Sequence, residues 1–292
     1  MKAFTYHTPE TLQAAIDLLV RHGEGAYPLA GGTDLITATR YGHLSPHVVV
    51  NLKRIPGLAE ITLESNGGPR IGALVTLSRI ARAAQIGARY PILAQTARRM
   101  ASPLIRNLAT VGGNLCNAAP SADMAPPLIA LDAEAVIVGP AGERRVPLQD
   151  FFTGPGKTVL DRGELLTAVV LPPPAPQGRS TYIKHMYRQA MDIAIVGVAV
   201  LVRFAPQEPV CQDARIVLGA VAPTPLRVCA AEEVLSGVPL TEERIAAAAQ
   251  RAAQAARPID DTYSSAWYRR EMVAVLTRRA LQQVAAQRDG DP

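Results

Sequence analysis

Two short glycine-rich stretches hold residue types that would cradle a phosphorylated ligand. The first is Pro28, Leu29, Ala30, Gly31, Gly32, Thr33, Asp34 and Leu35. Paired glycines let the backbone come close to a ligand, and the helix that starts behind them turns free N–H groups toward it. Such a turn suits a pyrophosphate. The second stretch is Thr110, Val111, Gly112, Gly113 and Asn114, followed by Asn117, Pro120, Ser121 and Asp123. Hydroxyl and amide side chains donate to phosphate oxygens, and a carboxylate such as Asp123 accepts from sugar hydroxyls. The same residues also make plain turns: Thr33 or Asp34 is a good N-cap, and a loop rich in Asn and Gly needs no ligand.

Other chemistries are missing from the pattern. No G-x-G-x-x-G occurs, so a Rossmann fingerprint is absent. Gly156-Lys157-Thr158 mimics the end of a phosphate-binding P-loop, but Phe151 stands where that loop needs its first glycine. His43 and His47 have the spacing of zinc ligands on a helix, yet Pro46 between them breaks the helix. Neither H-E-x-x-H nor G-x-S-x-G is present. The three cysteines, Cys116, Cys211 and Cys229, form no C-x-x-C pair and number one fewer than the thiolates of a usual cluster. No metal cluster and no disulfide framework are therefore expected on this chain. Cys116 reads as a packing residue, since nothing beside it would lower its pKa.

The elements that position these stretches are legible from caps and periods. Thr8, Pro9 and Glu10 open a helix with Leu12, Ala15, Ile16 and Leu19 on one face, and Gly23 ends it. Residues 27–30 read as a strand running into the first glycine turn, and a helix begins at Leu35. Residues 48–52 form a buried strand, and 61–63 with 70–73 a hairpin around Asn66-Gly67-Gly68. Leu77, Ile80, Ala81 and Ala84 mark one helix, and Ile92, Leu93, Ala97 and Met100 another. From 102 to 120 no clean period is present, and a long irregular segment inside a domain is usually functional. A short helix over 122–131, a hairpin over 133–138 and 144–148, and a strand over 164–171 follow. Pro172, Pro173, Pro174 and Pro176 then interrupt all regular structure and set a boundary between domains 1–176 and 177–292. Beyond it come strands over 181–186, 193–204 and 215–222, a helix capped by Thr241 to about Arg257, and a final helix striped by Val273, Leu276, Ala280 and Val284. Mixed elements, then strands followed by helices, favour an α+β fold over a doubly wound sheet.

Length and composition agree with two cores. The chain has 292 residues, 48% of them hydrophobic, which excludes disorder. Its net charge is +5, yet of the basic residues only Lys2, Lys53, Lys157 and Lys184 are lysines. The arginine pairs at 98/99, 144/145, 269/270 and 278/279 are scattered and not interleaved with aromatics, so they read as solvated faces and not as a nucleic-acid platform. Residues 1–17 lack a signal-peptide pattern, and the longest uncharged apolar run, 193–202, is far shorter than the ~18 to 20 residues that span a bilayer. A cytoplasmic protein without a transmembrane segment is expected.

Taken together, the two glycine stretches resemble the FAD-binding middle subunit of the molybdenum hydroxylases, the xanthine dehydrogenase and carbon monoxide dehydrogenase group. That family carries an A-G-G-T-D-L or A-G-G-H-S-L loop and a T-[VI]-G-G-N loop about eighty residues apart. Here the likeness runs from Phe4-Thr5-Tyr6-His7-Thr8-Pro9 into the C-terminal domain. It implies a two-lobed FAD-binding domain of the PCMH type, followed by a small antiparallel sheet packed with helices. It implies that Pro28 to Leu35 and Thr110 to Asn114 contact the FAD diphosphate, and that Asp123 holds ribityl or ribose hydroxyls. Leu165, in Glu164-Leu165-Leu166-Thr167, would lie beside the isoalloxazine. Lys184, eight residues before Asp192-Ile193-Ala194, would lie near the ring and favour the anionic reduced flavin; otherwise it is a surface cation on a strand. Met100 takes the cofactor-side place where the xanthine dehydrogenase branch has a ring-stacking Phe, and Ala119 stands where Ser is frequent. No cysteine-bearing insertion follows the second loop, unlike in the 4-hydroxybenzoyl-CoA reductases.

The resemblance also implies a division of labour. A small subunit with [2Fe–2S] clusters would deliver electrons, a large molybdopterin subunit would oxidise the substrate, and the three would assemble as a dimer of heterotrimers. FAD on this chain would pass electrons to NAD⁺, a quinone or another acceptor, with no catalytic side chain and no metal ligand of its own. The alternatives are a non-redox nucleotide-binding or scaffold module, and a stand-alone flavin oxidase.

Overall fold

Short apolar strands and capped helices assemble around three larger sheets and one two-stranded hairpin in the computed structural model, which describes residues 2–206 and 210–287. The first lobe contains β1 (Thr5–His7), α1 (Leu12–His22), β2 (Ala26–Leu29), α2 (Leu35–Arg40) and β3 (Val48–Asn51). β1 and β2 flank β3, both parallel to it. Ala15, Ile16 and Leu19 of α1 pack with Val48 and Val50 of β3, as the period predicts. The N-cap differs from the expected Thr8: the Thr11 hydroxyl accepts the Ala14 N–H, so the helix starts later. Two threonines three residues apart compete for one cap, and Thr11 is the one that leaves Pro9 and Glu10 outside the helix. Gly23, with φ +63°, ends α1.

The second lobe begins with β4 (Ile61–Leu63), β5 (Pro69–Gly72), α3 (Leu77–Arg82), α4 (Ala84–Arg89) and α5 (Pro91–Arg99). It continues through α6 (Pro103–Leu108), α7 (Val111–Asn117), α8 (Ala125–Ala130), β6 (Glu134–Gly139), β7 (Gly142–Pro147), β8 (Phe152–Gly154), β9 (Lys157–Thr158) and β10 (Leu165–Val170). An antiparallel sheet in the order β4-β5-β10-β6-β7 carries the helices. The core between them includes the fully buried Ile71, Ile80, Ile92, Leu93, Leu115, Met124, Leu128 and Phe151. Each such side chain stabilises the fold by ~1.5–3 kcal/mol relative to exposure.

Residues 102–120 correct the expectation of an irregular segment, because α6 and α7 lie within them. Ser102 caps α6 by accepting the Ile105 N–H, with Pro103 in the first turn, and Thr110 caps α7 by accepting the Gly113 N–H. Both helices are too short to repeat an apolar period, so their caps are the only sequence trace. The P-loop mimic is a hairpin, with Gly156 in the turn between β8 and β9.

After the prolines come β11 (Gly178–His185), β12 (Val196–Phe204), β13 (Val210–Gly219), β14 (Leu226–Arg227), α9 (Cys229–Glu232), β15 (Val238–Pro239), α10 (Glu242–Ala255) and α11 (Ala266–Ala286). The sheet order is β11-β12-β13-β14, with β15 also on β13, and every pair is antiparallel. The second strand begins at Val196, later than the expected 193, and the third runs over Val210–Gly219 instead of 215–222. α10 stops at Ala255, where the Arg257 guanidinium caps the carbonyls of Gln254, Ala255 and Ala256. Val273, Leu276, Ala280 and Val284 of α11 are buried against this sheet. The whole is α+β, as expected. Strand alternation gives β11 two faces. Thr181, Ile183 and His185 point toward α11, where Thr181 donates to Gln283 and His185 meets Tyr268. Tyr182 and Lys184 point the other way, toward the second lobe. No helix among the described residues is long and apolar enough to cross a membrane.

Candidate functional site

The two glycine turns are built into contact. Gly32, at φ +80°, takes the left-handed conformation that ends β2 and starts α2. Gly31 packs so closely on the end of α6 that a Cβ there would lie 2.1 Å from the Leu108 carbonyl oxygen. At Gly112 a Cβ would lie 2.7 Å from the Ala73 carbonyl oxygen. These glycines seat the turns on their neighbours. Gly113 differs: apart from the Thr110 hydroxyl at 3.0 Å, an added Cβ would meet only Ala30 of the opposite turn, at 4.0 Å. Asn117 donates across to Asp34 Oδ1 at 3.4 Å, and the Thr33 hydroxyl donates to Asp34 Oδ2 at 3.3 Å.

The turns differ in the donors they leave free. Val111 N–H donates to Val75, Gly112 N–H to Ala73, Gly113 N–H to the Thr110 hydroxyl, and Asn114 N–H to the Thr110 carbonyl. The second turn's donors are thus all taken by protein acceptors, two of them in the turn and two at Ala73 and Val75. In the first, the N–H groups of Gly32, Thr33 and Asp34 donate to no protein atom among the described residues. Asn114 Oδ1 accepts the Met124 N–H at 3.3 Å, which leaves its amide nitrogen as a further donor. The combination fits a diphosphate: three backbone donors on one turn, an amide on the other, and a glycine face between them that a side chain would fill.

Beside this lies a buried carboxylate. Asp123, between α7 and α8, accepts from the Tyr182 hydroxyl at Oδ1 (2.9 Å) and from the Lys184 ammonium at Oδ2 (2.8 Å). Burial raises the Asp123 carboxyl above its ordinary value, while Lys184 and Tyr182 pull it down. Tyr182 is raised well above an ordinary phenol, by burial first and then by the charge of Asp123, so it stays a neutral donor. The Lys184 ammonium also donates to the Asp192 carbonyl at 2.8 Å. Its side chain is only 3% exposed, which overturns the reading of a surface cation. Asp192 is tied down in turn by the N–H groups of Arg188 and Ile193, and these hold its carboxyl below the usual range.

Leu165 is 4% exposed at the start of β10, packed with the first-lobe core beside Leu74 and Val50. Met100 caps α5 and lies inside the second-lobe core at 7% exposure. Burial pushes the Cys116 thiol up to about 12, consistent with a packing role. Tyr182 and Asn117 are the partners that residue-by-residue reading missed. Asn117 lies in the polar run already singled out, but Tyr182 has no local signal; only its place on the same strand face as Lys184 could have found it.

Known proteins resemble this chain in sequence and fold. The family described as "FAD binding domain in molybdopterin dehydrogenase" matches residues 2–174, and "CO dehydrogenase flavoprotein C-terminal domain" matches 181–284. The xanthine dehydrogenase FAD-binding subunit of Escherichia coli O157:H7 is 33% identical over 98% of this chain and 97% of its own length. The carbon monoxide dehydrogenase medium chain of Afipia carboxidovorans is 34% identical, with 97% of each chain covered. The solved structure of reconstituted CO dehydrogenase from Oligotropha carboxidovorans superposes with a TM-score of 0.94 at 33% identity, over 98% of this chain and 99% of that one.

Proposed function

The chain belongs to the FAD-binding subunits of the molybdopterin dehydrogenase family, and from that premise we propose that it is the electron-transfer flavoprotein subunit of a multi-subunit molybdenum-containing hydroxylase. The observation that carries this reading is the row of Gly32, Thr33 and Asp34 N–H groups without a protein acceptor among the described residues, on the turn whose Ala30 is the neighbour that an added Cβ on Gly113 would meet. In this reading the first turn, from Pro28 to Leu35, and Asn114 hold the diphosphate. Asp123 accepts from a sugar hydroxyl with the lone pairs that Tyr182 and Lys184 leave unused. Leu165 supplies an apolar wall, and Met100 supports the lobe from within.

FAD, when bound, supplies the exchange between one-electron and two-electron carriers, and the chain's own task is to bind it, orient it and set its electrostatics. Lys184 performs the last task in a restrained form. Its charge is matched by Asp123, so the ring region gains an oriented ion pair and not a bare cation.

Electrons enter from a small [2Fe–2S] subunit, which a large molybdopterin subunit feeds, the three chains forming a dimer of heterotrimers. They leave to NAD⁺, a quinone or another acceptor, in the cytoplasm. The boundary between domains 1–176 and 177–292 falls in the proline linker, whose start is pinned to the first domain by the Tyr90 hydroxyl donating to the Pro172 carbonyl at 2.6 Å, while Tyr182 and Lys184 reach back across it to Asp123. The deciding experiment is anaerobic mixing of the purified chain with its complex. Flavin bleaching that requires the partner subunits and substrate together supports the reading; bleaching of the isolated chain by substrate alone would make it a stand-alone oxidase.

A further inference from the structure

We propose that Tyr182 is a positioning residue of the cofactor site, holding Asp123 in the one orientation that serves both Lys184 and the cofactor. This rests on the reading of Asp123 as a contact to FAD hydroxyls. Three observations carry it. First, Tyr182 and Lys184 lie two residues apart on one face of β11, and each takes a different oxygen of the same carboxylate. A carboxylate gripped at both oxygens cannot rotate about its last bond, so its remaining lone pairs have fixed directions.

Second, the neighbouring strand is shaped for this tyrosine. Gly197 of β12 pairs with Lys184, and a Cβ on Gly197 would lie 2.6 Å from the Tyr182 hydroxyl oxygen. The phenol leans diagonally over that glycine to reach Asp123. Any side chain at 197 would push the hydroxyl off the carboxylate. Third, Tyr182 belongs to the C-terminal sheet by sequence but packs with the second-lobe core. It therefore ties Asp123, which follows the second glycine turn, to the strand that carries Lys184.

The groups facing Asp123 are Tyr182 and Lys184, with Asp192 beyond Lys184. Phenol and ammonium both favour its ionised form, the form that accepts from a hydroxyl. Removing the phenol leaves one buried oxygen without a donor, so protonation of Asp123 becomes easier and occurs at higher pH.

The test compares Tyr182→Phe, Gly197→Ala and Asp123→Asn in the full chain, by the dissociation constant for FAD between pH 5 and 9 and the melting of the FAD-free protein. Tyr182→Phe is expected to weaken FAD about tenfold at neutral pH, the size of one lost hydrogen bond to a charged group. It should also move the acid loss of FAD binding to higher pH, and Gly197→Ala should do the same with the hydroxyl still present. A uniform loss with an unmoved pH midpoint makes Tyr182 merely structural and overturns the proposal. So does undisturbed FAD binding in Tyr182→Phe while Asp123→Asn weakens it. If Asp123→Asn itself leaves FAD binding unchanged, the Asp123 reading fails instead, and the proposal with it.

Discussion

Replacing Lys184 with Met would expose the cost of burying Asp123 alone. Met retains most of the aliphatic stem, so packing changes little while the ammonium disappears. The pair lies at 2.8 Å with side chains 3% and 9% exposed, where breaking one partner of a buried ion pair typically costs ~3–5 kcal/mol. A ceiling follows from proton binding. An abandoned carboxylate can neutralise itself, and raising it from its ordinary value to neutral pH costs about 4 kcal/mol at ~1.4 kcal/mol per pH unit. At pH 7 the deficit should therefore be about 3–4 kcal/mol, or roughly 6–16 °C in Tm for a chain of this size.

The sign of the pH dependence follows from linkage. In the variant the folded carboxyl lies even further above its unfolded value. Its protonated form contributes stability that is present below the unfolded value and lost as pH rises through the folded one. The deficit against the parent should then shrink to about 1–2 kcal/mol at pH 5. Adding Asp123→Asn should recover most of the loss at pH 7. Urea unfolding of the FAD-free chain at pH 5, 6 and 7 measures all of this. A deficit below about 1 kcal/mol at pH 7 that does not vary with pH would refute the reasoning, because it would mean that solvent already screens the pair.

Two further outcomes concern the turns and the second lobe. Gly113→Val should abolish FAD retention with only about 1 kcal/mol change in stability, because apart from a side-chain contact to the Thr110 hydroxyl it meets only Ala30, at 4.0 Å; Gly31→Ala should instead destabilise by ~1–3 kcal/mol through its overlap with the Leu108 backbone, and a larger stability loss for Gly113→Val than for Gly31→Ala would undo the distinction. Glu164 is held below the ordinary carboxyl range first by its hydrogen bond from Arg144, so its stabilising effect is present above the unfolded value and lost as pH falls through the folded one. With the Arg144 side chain 39% exposed, screening limits this to ~1 kcal/mol or less, and Glu164→Gln should flatten the acid limb of a Tm–pH profile by that amount.

Particular residues show how far sequence alone reaches. The paired glycines were legible because few other residues tolerate such close approach, yet sequence could not show that Gly31 and Gly112 face protein backbone while Gly113 faces the other turn. The two helices within 102–120 leave little trace in the sequence because six or seven residues cannot display an amphipathic period, and the caps at Ser102 and Thr110 look like ordinary loop residues. Lys184 stands out only through the family resemblance, which places a lysine eight residues before Asp192, and its burial against Asp123 arises from a contact between residues 61 positions apart. Tyr182 depended on the same long-range pairing and on Gly197 in the next strand, neither of which leaves a local mark.

Flavin content is the most direct measure of the cofactor site. Purified in native form, the chain should be yellow and release about one FAD per polypeptide on denaturation, as expected for one bipartite diphosphate site. A colourless chain that also fails to take up added FAD would contradict it.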